Sequence, residues 1–129
     1  CIAAVSDEHR STGADYSFNH RPFGVCNYAD GFGVEVISRV LLTDLDGRDL
    51  SAEHREHVTL AIADGSVKAR VHGCVAPASL ARPELRFDVD EPQDLQYLQT
   101  LVAFARLHIG SSAAEVVAAE DWYRTAYPS

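Results

Sequence analysis

The chain has 129 residues, 47% of them apolar and 23% charged, which allows one domain with a buried core and excludes a disordered polymer. No apolar run approaches the roughly 18–20 residues that cross a bilayer, and no basic-then-apolar signal segment is seen. A formal charge of -8 excludes a nucleic-acid backbone or an anionic membrane as partner, because both require a positive surface.

Residues 2–12 place Ile2, Val5 and His9 on one face before Gly13, predicting the tail of a helix. ADYSFN, residues 14–19, predicts a short strand. Four Pro and Gly residues punctuate 20–33 and predict a loop close to a ligand or partner. Val34 and Val36 alternate with Glu35, predicting a strand over 34–38; RVLLTDL fits either its continuation or a short helix. Ser51, followed by Glu53 and Glu56, predicts one helix over 51–64 that Gly65 ends. Residues 67–75 alternate and predict a strand, as do 85–89 after a proline-punctuated loop. Residues 91–109 predict the longest helix, with Leu95, Leu98, Val102, Ala105 and Ile109 as its apolar stripe. Ser112 and Glu115 form a capping box for a last helix, whose Val116, Val117, Trp122 and Tyr123 can bury against the domain. Strands alternating with helices predict a single α/β domain of three layers. A glycine-rich turn after the first strand, the usual mark of a nucleotide-binding unit, is absent.

FDVDEPQDL, residues 87–95, is the stretch where chemistry concentrates. Asp90 or Glu91 can cap the following helix, with Pro92 in its first turn and Asp94 complementing its dipole. Asp88 and Asp90 also project to one side at a strand's carboxyl end, where open α/β sheets keep their ligand crevice, and a carboxylate there can hold Mg²⁺. Spacing alone leaves both roles open. Asp30-Gly31 is a turn dipeptide, Glu35 lies on a strand, and His54 and His57 stand at i, i+3 without a third ligand at a recognised spacing. Cys1, Cys26 and Cys74 show no C-x-x-C spacing, so a disulfide framework or zinc motif is not indicated and a reducing cytoplasm is the simplest setting.

Four segments carry a resemblance. VDEPQDLQYL resembles the VDTPEDL-type motif of cytidylyltransferases that make CMP-linked acidic sugars and of related spore-coat polysaccharide biosynthesis proteins. YADGFGVEVIS resembles the "PDG-two residues-VEV" segment of the spore-coat branch, REHVT (55–59) its "REHVTPYI", and GADYSFN the preceding "ADYVSN" strand, all in the family's order. The resemblance covers about residues 1–105 and implies a Rossmann-like nucleotide-diphospho-sugar transferase fold, of which this chain is the C-terminal, sugar-binding and dimerising half. It also explains the missing glycine turn, because the family's CTP-binding loop lies in the N-terminal half.

The resemblance implies CTP and a sugar as substrates, a CMP-sugar and pyrophosphate as products, Mg²⁺ as cofactor and a homodimer. Asp90 matches the metal-supporting aspartate; Asp30, Gly31, Glu35, His57 and Arg86 fall at positions expected to meet substrate. Glu91 in place of Thr, Phe32 and Gly33 in place of Leu and Asp, and LAIAD after REHVT depart from the pattern. Cys1 raises a rival, an N-terminal-nucleophile hydrolase whose free amine activates its own thiol, which requires long antiparallel strands from the start. A third possibility is a catalytically silent unit that binds a partner chain.

Overall fold

The computed structural model describes residues 1–20 and 26–128. Its centre is β1 (Tyr16–Phe18), the middle strand of a three-stranded sheet ordered β2-β1-β3. β1 pairs antiparallel with β2 (Glu35–Ile37), Tyr16 opposite Ile37, and parallel with β3 (Val71–Gly73), Tyr16 opposite Val71. Every residue of β1 is buried, as befits a strand covered on both faces. Tyr16 and Phe18 project onto Leu41 and Leu45 of α2 (Arg39–Asp46) and Ala61 and Ile62 of α4 (Leu60–Ala63). Ser17 projects the other way, toward α1 (Ile2–Thr12), where its Oγ lies 2.9 Å from His9 Nδ1. Helices therefore cover both faces, the α/β layering that the alternation of elements predicts.

Several sequence-based boundaries move. RVLLTDL is helix α2, because the Ser38 hydroxyl accepts a bond from the Leu41 amide and starts a helix there. The helix predicted over 51–64 is two: α3 (Ala52–Glu56) ends at His57, whose backbone leaves the helical region at φ -113° and ψ 82°, and α4 follows after Val58-Thr59. Two consecutive β-branched residues favour that break. The strand expected over 85–89 is a single parallel bridge between Asp30 and Arg86. The strands expected over 14–19, 34–38 and 67–75 shorten to three residues each.

A second layer of helices carries the acidic stretch. α5 (Pro92–Ala105) stops at Arg106, which adopts the left-handed conformation at φ 54°, so residues 107–109 lie outside the helix. Its buried stripe is Leu101 with half-buried Tyr97 and Phe104, at i, i+4 and i+7 spacing. Of the predicted stripe, Leu98 and Ala105 are half-buried, whereas Leu95 and Val102 are substantially exposed and Ile109 is fully so, which corrects it in part. α6 (Ala113–Ala126) packs along α5, with the Phe104 ring centroid 4.4 Å from Trp122 and 5.3 Å from Tyr123. The Ser112–Glu115 capping box is present. Val117 joins Tyr28, Ala29, Leu80 and Leu85 in a second apolar cluster that fixes the loops above the sheet.

Candidate functional site

The aspartate–glycine turn and the acidic stretch meet through backbone. The Asp30 amide donates to the Leu85 carbonyl (2.9 Å) and the Phe87 amide to the Asp30 carbonyl (3.0 Å), which is the bridge opposite Arg86. Asp30 Oδ1 accepts from the Gly31 amide (2.9 Å), closing a local turn. Gly31 adopts φ 92°, and a Cβ there would stand 2.6 Å from the Phe87 carbonyl carbon. Only glycine lets the two segments come this close.

From that bridge Arg86 reaches along the acidic tip. Its Nε donates to Asp88 Oδ1 (3.0 Å), and its Nη2 donates to Asp88 Oδ2 and to Asp90 Oδ2 (3.1 Å). Asp88 and Asp90 thus lie on one side, as their spacing predicts. The guanidinium holds the Asp88 carboxyl well below the usual range, at about 2. Of the two capping candidates it is Glu91 that is the N-cap of α5, in a capping box with Asp94, which accepts from the Glu91 amide (2.8 Å) and the Asp90 amide (3.1 Å), with Pro92 in the first turn. Asp90 keeps a carboxylate 71% exposed, which among the described residues accepts from Arg86 and lies beside Asp88.

Two clefts flank Arg86. One, of about 330 Å³, is lined by His20, Tyr28, Asp30, Glu84 and Arg86, among others. The other, of about 340 Å³, is lined by Glu84, Arg86, Asp88, Asp94, Tyr97, Glu120 and Arg124, among others. Glu84 and Arg86 form the wall between them. Within the second, Glu120 is buried yet satisfied, accepting from the Tyr97 hydroxyl and from Arg124 Nε (2.6 Å). Asp90 lies at the rim through Arg86 and is not among the residues that line either cleft.

Glu35 enters from the sheet side. Its Oε1 lies 2.8 Å from His20 Nε2, so β2 orients the imidazole that lines the first cleft. Burial pushes the Tyr16 hydroxyl above its ordinary range, and the neighbouring Glu35 carboxylate pushes the same way, with Thr59 of the REHVT segment also at that hydroxyl. Asn19 ties the loop down: its side-chain amide donates to the Phe32 carbonyl (3.0 Å) and its Oδ1 accepts from the Val34 amide (2.6 Å). His57 is exposed at the end of α3 and lines neither cleft, while His54 pairs with Asp64 (2.7 Å), so the two histidines do not form a chelate. Part of the loop predicted over 20–33, residues 21–25, lies outside the described residues.

The structure therefore groups Asp30, Gly31, Glu35, Arg86 and Asp90, and leaves His57 apart. Sequence reasoning missed His20, Glu84, Tyr97, Glu120 and Arg124. His20 had a usable signal, since it follows directly on the carboxyl end of β1, where α/β crevices open. Glu84 stands two residues before Arg86, and Tyr97, Glu120 and Arg124 come from helices whose approach to Arg86 is tertiary.

With this geometry in hand, the chain can be compared with known structures. A cytidylyltransferase from Leptospira borgpetersenii serovar Hardjo-bovis (strain JB197) superposes with a TM-score of 0.68 at 16% identity, covering 95% of this chain and 49% of that one. The fold is that of about half a cytidylyltransferase. No protein-family model matches the sequence, and no curated protein matches it. The chain spans about half the length of its cytidylyltransferase neighbour. Cys1 is exposed at the start of helix α1, and the described residues hold no long antiparallel strands, so the framework that the hydrolase alternative requires is missing from them. No helix among the described residues is long and apolar enough to cross a membrane.

Proposed function

We propose that this chain is the sugar-binding half of a Mg²⁺-dependent cytidylyltransferase, which joins a sugar to CMP from CTP for surface polysaccharide or glycan biosynthesis. The observation that carries the reading is the Asp30–Arg86 bridge, which brings the aspartate–glycine turn and the acidic tip to the rim of one polar cleft. In the reaction a sugar oxygen attacks the α-phosphorus of CTP, the bond to the β-phosphate bridging oxygen breaks, and pyrophosphate leaves. Asp30, the Gly31 turn and Arg86 would contact the sugar's polar groups, and Glu35 would hold His20 at the cleft wall. REHVT would contribute through Thr59 at Tyr16, with His57 at the outer edge. The family resemblance adds a homodimer, and the cysteine pattern a cytoplasmic setting.

Asp90 fits the part of metal ligand assigned by resemblance, because Glu91 and Asp94 form the helix cap and leave the Asp90 carboxylate largely exposed. Mg²⁺ is commonly held by one or two carboxylates with waters and substrate phosphates completing the shell, so a single outward aspartate suffices. Bound there, the ion would neutralise charge building on the phosphates.

The test is CMP-sugar formation from CTP, a panel of acidic sugars and Mg²⁺, by the chain with and without a nucleotide-binding half supplied from a cytidylyltransferase. Transfer that Asp90→Asn lowers on the order of 10²-fold, the usual cost of removing one contact to developing charge, supports the reading. No transfer under either condition, or full activity in Asp90→Asn, overturns it.

A further inference from the structure

Away from the clefts, the opposite face of the sheet gathers three side chains that the transferase reading leaves unused. His72 on β3 and Cys74 just beyond it are two residues apart and so project from one face of the strand. His72 stands opposite Ser17 in the register, and Ser17 faces α1, so this is the face that α1 covers. From α1 comes Glu8, whose Oε2 lies 2.9 Å from His72 Nε2. Cys74 is fully buried and its amide is pinned to the Phe18 carbonyl (2.7 Å), which fixes the sulfur under the Glu8–His72 pair. A carboxylate oxygen of Glu8, an imidazole nitrogen of His72 and the Cys74 sulfur all lie within 4.8 Å of one another.

We propose that Glu8, His72 and Cys74 form a binding site for one zinc-class divalent cation. Four-coordinate zinc takes ligands at about 2.0–2.3 Å, so donors this close need only small rotations to share one ion. The donor set selects the metal: thiolate and imidazole favour zinc-class ions, whereas Mg²⁺ and Ca²⁺ take oxygen. Charge balances, since one thiolate and one carboxylate neutralise the dication, and the thiol proton leaves to solvent on binding. Access is open from the outside, the Glu8 and His72 side chains being 43% and 32% exposed. The fourth position falls to water. The bland alternative is a surface His–Glu pair above a buried thiol acting as a small hydrophobe. It leaves unused the convergence of the buried sulfur, the carboxylate and the imidazole on one point, with the Cys74 thiol hydrogen-bonded to Glu8.

The experiment uses Co²⁺ as an optical substitute for zinc, on reduced protein carrying Cys1→Ser so that the exposed thiol adds no site. One equivalent of Co²⁺ is expected to give a thiolate-to-cobalt charge-transfer band with intense tetrahedral absorption, both displaced by Zn²⁺. Cys74→Ser should remove the charge-transfer band, and Cys26→Ser should retain it. Because Cys74 is buried, the partly exposed His72→Gln provides a second arm, with the fold checked by circular dichroism. It should weaken Co²⁺ binding by more than the roughly 10–100-fold that outer-shell changes cost. Absence of the band in the Cys1→Ser parent, its survival in Cys74→Ser, or an unaltered titration in His72→Gln overturns the proposal.

Discussion

At Gly31 the backbone takes φ 92° with the Phe87 carbonyl carbon 2.6 Å from where a side chain would begin, so conformation and space both exclude any other residue. Gly31→Ala is therefore expected to cost about 1–3 kcal/mol of stability, read from chemical denaturation, and to displace Arg86 from the cleft wall. Asp15 is a second residue with a definable contribution. Its carboxylate accepts from Arg70 Nη2 (3.0 Å), Nε (3.1 Å) and backbone amide (3.0 Å), and the guanidinium holds its pKa at about 2. An unfolded aspartate titrates near about 3.9. The folded value is the lower one, so this stabilisation is complete above the unfolded value and is lost as pH falls toward about 2. Melting temperatures of Asp15→Asn should lie below the parent's above about pH 5 and converge with them toward pH 2. At this scale the sequence spoke clearly where a residue's chemistry is local: Asp-Gly is a turn because the Asp side chain bonds the next amide. It was silent on His20 and Glu84, which meet Asp30 only through the folded chain.

Helix starts were legible because capping is written within four residues. Ser112 accepts from the Glu115 amide (3.3 Å) while Glu115 accepts from the Ser112 amide (2.7 Å), as the pattern implies. Ser112→Ala should lower stability by about 1 kcal/mol in urea denaturation, and Ser112→Asp should recover most of it. Strands were less legible. Residues 85–89 have the composition of a strand, but only Arg86 finds a ladder partner, because the neighbouring segment at Asp30 turns away at Gly31. The break at His57 was likewise hidden, since SAEHREHVTLAIAD reads as one helix until the turn around Thr59 is seen beside Tyr16. The stripe on α5 was read partly off its face: Leu98 and Ala105 are half-buried as expected, but α6 selects Tyr97, Leu101 and Phe104 and leaves Leu95 and Val102 outward, because periodicity alone does not choose between adjacent faces.

For the molecule as a whole, net charge and exposed apolar surface set the expectations. With a formal charge of -8, and with Arg86 already engaged by Asp88 and Asp90, the chain repels free triphosphate unless a cation intervenes. Among the apolar side chains left outward, Val102 and Ile109 line a groove of about 400 Å³ that also includes Phe32, Phe87 and Leu98. If the proposed homodimer uses this surface, Val102→Asp should shift the chain from dimer to monomer in light scattering while leaving its circular dichroism unchanged. A dimer that survives Val102→Asp places the contact elsewhere.

The order of the sheet has a consequence for how the protein is made. Of the three strands β1 comes earliest in the chain yet sits in the middle, between a partner that follows soon after and one whose Arg70 anchor lies 55 positions beyond Asp15. As the chain leaves the ribosome, the central strand can zip to β2 early but must keep its other flank bare until β3 emerges. Closing so distant a contact is slow, and an uncovered strand flank invites mispairing with another nascent chain. Any truncation ahead of Val71 makes that exposure permanent.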